Sequence, residues 1–241
     1  MKRFLPLTFI LPLATAMTLS AAADEGEILK AHFKAVGGLE KLSEIKTMKR
    51  SGSAELGGMM GEMEGTTEVA VVVGKKTYSN MDLGMVSEKS GWNGEVGWKS
   101  NAQTGLTTLE GSDLETTKST IYLDPLQSIY ESYGASAFKQ TDDQTIREKE
   151  CVVLAVEEAN LSFFLDKESH QLVSMQMQIE DPAMGPMAVN LYFSDYKEYS
   201  GIMIPDTTEF DVMDGSITMK MTYDKTEIDV EIDESIFEMP E

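Results

Sequence analysis

The sequence predicts a mainly β (α+β) fold built on one antiparallel sheet, and three observations predict it. From Thr47 onward, apolar residues alternate with polar ones in short runs, the period of a half-buried strand. Short links containing Gly, Asp, Asn or Pro join the runs, which favours hairpins over the long crossovers that parallel strands need. Helical spacing is confined to the stretch before Thr47 and to a central insert ending at Gly134.

The elements follow in order. Ile28, Leu29, His32, Phe33 and Val36 recur at helical spacing, and Gly37-Gly38 stops that helix because glycine accepts a left-handed terminal turn. Leu39, Leu42 and Ile45 predict a second short helical turn. Glu68 to Val73 reads as a strand ending at Gly74, and Thr77 to Leu83 as another ending at Gly84. Ser90 to Trp98 reads as a hairpin around Asn93-Gly94, a favoured two-residue turn whose central residues both need positive φ. Ser112-Asp113-Leu114-Glu115 has the form of a capping box. Asp124-Pro125 starts a further helix, with a capping carboxylate followed by proline at the first helical position. Leu126, Ile129, Tyr130 and Tyr133 give it an apolar face, and Gly134 ends it. Strands are expected over 150–157, 161–165, 172–180, 187–196, 207–213 and 216–223. Their turns are 166–169, Asp181-Pro182, Met184-Gly185-Pro186 and Asp214-Gly215. Ile228 to Ile232 alternates apolar and acidic residues, as a last half-buried strand with a solvated acidic side should.

The chain opens with Lys2 and Arg3, an uncharged apolar run of 16 residues from Phe4 to Leu19, and the small residues Ser20 to Ala23. That order predicts a cleavable secretory signal peptide over residues 1–23, cut after Ala22 or Ala23. The run is shorter than the roughly 20 residues that span a bilayer, no cysteine follows it for acylation, and no later run approaches that length. The expectation is an exported soluble protein without a stable membrane span. No linker or composition shift divides residues 24–241, which read as a single domain.

The 241 residues carry 20 Lys and Arg against 41 Asp and Glu, a net charge of −21. Loss of Lys2 and Arg3 with the leader lowers it by two, to −23. Such a surface repels phosphate backbones and anionic headgroups, so nucleic acid is not an expected partner; a protein partner would be basic. Cys151 is the sole cysteine, so no intramolecular disulfide forms. It opens the apolar run to Val156 and reads as a buried small hydrophobe rather than a reactive thiol.

The residues of catalysis are scarce. His32 lies on the apolar face of the first helix and His170 in a turn beside Glu168. There is no zinc-protease motif, nucleophile elbow, phosphate loop or dinucleotide fingerprint. In a chain so rich in carboxylates, an acidic pair alone carries no signal. No catalytic residue, no metal and no cofactor is expected. Asn160-Leu161-Ser162 fits the glycosylation sequon, which matters only in a eukaryotic secretory pathway.

Methionine is the unusual feature: 15 of the 17 remain once Met1 and Met17 are removed. Met175 and Met177 alternate with Gln176 and Gln178 before Ile179, and Ile217, Met219, Met221 and Tyr223 alternate with Thr218, Lys220 and Thr222. In strands each set shares one face. Unbranched, polarizable methionine suits an adaptable apolar wall that accepts lipid as well as an ordinary core. Thioethers also bind Cu(I), so Gly57-Gly58-Met59-Met60-Gly61-Glu62-Met63 admits reading as a copper loop, although no nearby His or Cys strengthens it.

Four segments resemble one family. They are Ala35-Val36-Gly37-Gly38-Leu39-Glu40-Lys41-Leu42 with Ile45-Lys46-Thr47 and Gly52; Trp92 to Trp98 with Leu109-Glu110-Gly111 and a capped helix; Phe164 to Glu168 with Leu172-Val173; and Tyr196 to Pro205, closing with Asp233 to Pro240. In this order and spacing they are similar to the exported outer-membrane lipoprotein-sorting proteins, the LolA/LolB-like family, and closest to its divergent members. Asn93-Gly94 stands where the family often has Asp-Gly, and Ser200 where an Asp commonly precedes the Gly-x-x-x-Pro turn. The resemblance implies an antiparallel sheet curled into an incomplete barrel covered by helices, which hold acyl chains between helices and sheet. It implies a periplasmic, non-enzymatic carrier or receptor for lipoprotein acyl chains or other lipids, with secretion from the cell the other destination. On that reading Met175, Met177, Ile217, Met219, Met221 and Tyr223 are wall, joined by either Val69 with Val71 or Ala70 with Val72. Leu126, Ile129, Tyr130 and Tyr133 belong to the lid helix. The alternatives are a Cu(I)-binding methionine protein, and a structural or interaction module whose barrel is filled by its own side chains.

Overall fold

The computed structural model describes residues 24–59, 61–181, 185–213 and 215–240. The expected signal peptide and the central residues of the 181–186 turns lie outside the described residues. Helices α1 (Glu25–Ala35) and α2 (Leu39–Glu44) precede a meander of six strands: β1 (Thr47–Gly58), β2 (Met63–Val72), β3 (Lys76–Asp82), β4 (Ser87–Trp92), β5 (Gly97–Asn101) and β6 (Gly105–Thr108). Helices α3 (Gly111–Ser119) and α4 (Pro125–Tyr133) follow. A second meander completes the chain: β7 (Lys139–Ile146), β8 (Lys149–Val156), β9 (Leu161–Asp166), β10 (Leu172–Asp181), β11 (Gly185–Tyr199), β12 (Ile202–Val212) and β13 (Ile217–Ile228).

The strands make one antiparallel sheet in the order β6-β5-β4-β3-β2-β1-β13-β12-β11-β10-β9-β8-β7. All neighbours but one are sequential hairpins; the exception is β1 with β13, at the centre. The sheet is not closed, since β6 and β7 are its two edges. The chain therefore leaves the first meander at one edge and enters the second at the other, and α3 and α4 lie on that crossing. The sheet is strongly coiled: Arg147, at the β7–β8 tip, reaches across β9 and β10 to stack 3.7 Å from the Tyr192 ring of β11 and to pair with Glu209 of β12 at 2.8 Å.

Helix α4 starts as expected. Asp124 accepts a hydrogen bond from the Gln127 N–H at 2.9 Å, Pro125 takes the first helical position, and Gly134 ends the helix at φ 77°. Ser112 does not open α3. That helix begins a residue earlier, at Gly111, with Glu110 at its N-cap and no side-chain cap. Asn93-Gly94 is not a symmetric two-residue turn either. Only Gly94 has positive φ, 103°, while the Asn93 side-chain carbonyl accepts from the N–H groups of Glu95 and Val96. The alternation from Ile228 to Ile232 is not a strand. Asp229 turns the chain away at φ 53° and its carboxylate accepts from the Lys46 N–H at 2.7 Å.

One cluster dominates the core. Leu29 and Phe33 of α1 and Leu126 of α4 pack with Phe138, Leu154, Phe163 and Leu172, and with Met48 and Val71 from the first meander. The face that carries them is the inner face. Val69 and Val71 belong to it, so of the two β2 sets this is the one that faces inward. Cys151 is fully buried on the other face with Val153, Phe164 and Val173. Where β1 and β2 bend, side chains are excluded: a Cβ on Gly52 would strike the Thr222 carbonyl oxygen, and one on Gly65 the carbonyl of Asp82.

A buried ion pair ties α1 to α4. His32 Nδ1 lies 2.9 Å from the His170 carbonyl and Nε2 lies 3.2 Å from Asp124 Oδ2. Both partners only accept, so the ring satisfies both only as the imidazolium. Burial alone would push the His32 pKa down; the Asp124 carboxylate and the two hydrogen bonds outweigh it and hold the pKa above its ordinary value. Burial would likewise raise Asp124, but the charge of His32 and the capping N–H groups hold it below the usual carboxylate value.

Two expectations follow for stability. The His32 contribution is complete below its unfolded pKa of about 6.5 and is lost as pH rises through the higher folded value; the Asp124 contribution is lost on acidification instead. Urea denaturation followed by circular dichroism should show the wild type weakening above about pH 6.5 more steeply than His32→Asn. Parallel slopes would mean a neutral imidazole in the fold. Gly65→Ala should cost about 1–3 kcal/mol in the same assay, as overpacking against backbone does. Gly26→Ala, which meets only the Asp24 carboxylate at 3.9 Å, should stabilise α1 by up to ~1 kcal/mol.

Candidate functional site

Strand register decides which side chains share the inner face, because directly paired residues point the same way. One row runs Met63 (β2), Leu56 (β1), Met219 (β13), Phe210 (β12), Leu191 (β11), Met175 (β10), Phe163 (β9) and Leu154 (β8). The next row carries Ile217, Val212, Val189, Met177, Leu161 and Val156. Met221 and Tyr223 continue the β13 alternation beside Ala54 and Gly52 of β1. All six expected wall residues therefore stand on one face, which is also the face that the helices cover.

The cover is partial. At the β8–β9 end of the first row Leu154 and Phe163 are fully buried, whereas Met175, Leu191, Phe210 and Met219 are only half-buried. Leu126, Ile129 and Tyr130 of α4 pack into the core cluster, but Tyr133 is 45 % exposed and does not join it. Met175 touches that same cluster. Ile217, Met219 and Met221 instead gather with Ala54, Leu56, Leu83, Met63, Met81 and Val86. Of the six residues expected as wall, Met175 packs against the cluster that α4 joins, while Ile217, Met219 and Met221 belong to the other cluster. Of the loop read for copper, Met59 is exposed and Met63 packs with this second cluster, while Met60 lies outside the described residues.

Between the two clusters sits a polar belt that the residue pattern did not disclose. Arg50 occupies an inward position of the alternation Met48, Arg50, Gly52, Ala54, Leu56. It is buried, stacks 3.9 Å over the Tyr223 ring, and donates to Asp206 at 3.0 Å, the Pro205 carbonyl at 2.8 Å and Thr226 Oγ1 at 3.0 Å. Asp206 also accepts from the Tyr199 hydroxyl at 2.8 Å and pairs with Lys197 at 2.8 Å. Burial pulls the Arg50 pKa below its ordinary value, against the opposing effect of Tyr223 and Asp206, and pushes the Tyr223 phenol up. The only signal in the sequence is a charged residue standing where the period calls for an apolar one.

On the opposite face, Glu55, Glu64, Glu209 and Lys220 line a cleft of about 460 Å³ with Arg147, whose guanidinium holds Glu209. That cleft contains no histidine or cysteine. Among the described residues, no group of three or more His, Cys, Asp or Glu is placed to hold a metal ion, and no helix is long and apolar enough to cross a membrane.

The belt generates a prediction. Arg50→Met leaves Asp206 buried with one fewer donor and should cost about 3 kcal/mol in urea denaturation. Replacing Arg50 and Asp206 together, by Met and Leu, should cost less than the single change, because no buried charge is left behind.

Sequence comparison finds no matching family model and no matching curated protein. Solved structures do match. A DUF1329-family protein from Desulfovibrio piger superposes with a TM-score of 0.55 at 11% identity, over 87% of this chain and 96% of that one. An outer-membrane lipoprotein-sorting protein domain from Vibrio parahaemolyticus gives 0.54 at 10%, over 88% and 94%. A LolA-superfamily protein from Nitrosomonas europaea gives 0.53 at 9%, over 90% and 98%. At such identities the likeness is one of fold, and it extends over nearly all of each partner. The helices on one face, the unclosed sheet and these superpositions agree: this chain has the LolA-like fold.

Proposed function

We propose that the protein is a periplasmic carrier or receptor, without enzymatic activity, that holds lipoprotein acyl chains or other lipids against the inner face of its sheet. The observation that carries this reading is the continuous apolar row Met219, Phe210, Leu191 and Met175, which spans four adjacent strands and is left half-buried beside the helices. A folded chain covers such a surface with its own side chains or keeps it for a partner. An acyl chain gains roughly 0.8 kcal/mol for each CH₂ taken from water, so several turns of contact along this row suffice to hold it. Thioethers adapt to chains of different shape. The Vibrio protein of the same fold is named for outer-membrane lipoprotein sorting, which is consistent with this use of the scaffold.

The region beneath α1 and α4 is filled by Leu126, Phe138 and Phe163, all fully buried. In this reading chains first lie along the exposed part of the row and extend under α4 only when that helix lifts. Its apolar face is short and, among the described residues, His32–Asp124 is its one ion pair, which suits it to that movement.

The test is native mass spectrometry of the protein purified from the periplasm, with lipid extraction of what co-purifies. Bound phospholipid, fatty acid or lipoprotein is expected. Met219→Lys should fold, since the site is half-buried and the ammonium can reach water. It should weaken acyl-chain binding by about tenfold or more, because the charge loses its solvent when a chain lies over it. Wild-type protein that carries no lipid and takes up none when offered would point to a self-filled interaction module. A Met219→Lys variant that folds and binds normally would remove Met219 from the wall.

A further inference from the structure

One well-formed cleft is not on the inner face of the sheet. It lies outside the helices, between α1 and the end of α4, with a volume of about 510 Å³. Its floor is apolar: Leu29 and Phe33, both nearly buried, and Tyr130, whose ring meets Phe33 edge-on at 5.2 Å and 71°. Ala135 stands on the far wall. Small-molecule sites in proteins have volumes of this order and this mixture of apolar floor and few polar groups.

The rim is unusual for this molecule. Lys30 and Lys34, one turn apart on α1, border the cleft, and no Asp or Glu lines it. In a chain with 20 basic and 41 acidic residues, an apolar cleft bordered by two lysines and no carboxylate runs against the average surface. Lys30 is held loosely by Glu27 at 3.6 Å with both side chains largely exposed, and Lys34 forms no ion pair among the described residues. The Tyr130 hydroxyl makes no hydrogen bond among them either. Two available ammonium groups and a free hydroxyl therefore stand over an apolar trough.

We propose that this cleft binds a single-chain amphiphile with an anionic head, a long-chain carboxylate being the simplest, with the chain on Leu29, Phe33 and Tyr130 and the head between Lys30 and Lys34. The site is separate from the inner face and does not depend on lipid binding there. A carboxylate is favoured over a cationic or uncharged head because the surrounding acidic surface leaves this rim as the local positive region.

The experiment titrates the purified protein with dodecanoate and, in parallel, with dodecyltrimethylammonium. Dodecanoate should bind better, and Lys30→Gln combined with Lys34→Gln should weaken it by about tenfold or more while leaving the circular dichroism spectrum unchanged. Ala135→Trp, which fills the trough from an exposed position, should block it. Met219→Lys should leave this site intact, so its loss is distinguishable from loss of binding on the inner face. A diazirine-bearing fatty acid should label peptides from α1 and the end of α4. Equal binding of the two amphiphiles, indifference to the lysine substitutions, or labelling confined to the inner-face strands would each overturn the proposal.

Discussion

Strand β1 meets β13 along eleven residue pairs, from Met48 with Ile228 to Gly58 with Ile217, and this ladder joins the two halves of the sheet. Every other pairing is a hairpin between neighbours in sequence. Without the ladder, β1 and β13 would each be the open edge of its meander. With it, β1 and β13 become the middle of a thirteen-stranded sheet and the free edges move to β6 and β7. The position of the helices follows. A chain that must travel from one edge to the other crosses a face, and a crossing segment with one apolar side buries it there.

The inner face is consequently divided by use. Under the helices, fully buried leucine and phenylalanine make up most of the packing. Beyond them the rows continue with methionine and with half-buried phenylalanine and leucine. The Arg50–Asp206 belt marks the change. A buried ion pair of this kind contributes little net stability, and its attested use elsewhere is to fix one arrangement among several. Here it connects β1 and β13, the two strands of the central ladder, with β12, and holds Tyr223 beneath the guanidinium.

Much of the architecture was legible because it rests on local rules. Asp124-Pro125 and Gly134 bounded α4 correctly, since capping and φ preferences act within a few residues. The period-two runs identified most strands of the second meander. What escaped depends on distance or on water. Lys139 to Ile146 is an edge strand with most of its residues exposed, so its sequence is polar and shows no apolar alternation. Ile228 to Ile232 has the right alternation, yet Asp229 leaves the sheet to cap Lys46, a contact set by tertiary position. The alternation of Met175 with Met177 and of Ile217, Met219, Met221 and Tyr223 put each set on one side of its strand, but that Phe210 and Leu191 share this face follows only from register, which no short-range pattern reveals. Arg50 was hidden because its partners lie some 150 positions away.

The centre of the sheet also has an order in time. Synthesis delivers β1 early and β13 last, so the first meander exists for most of the chain's production with its inner strand bare along one side. The Leu56 and Met63 face is uncovered during the same interval. Any nascent form is thus stickiest at the position that is best protected at the end, and it depends on arrival of the final strand, rather than on slow repair afterwards, to become safe. Truncation near the C-terminus would therefore be far more damaging than removal of the same length at the β6 edge, since it would leave the middle of the molecule open instead of trimming its border.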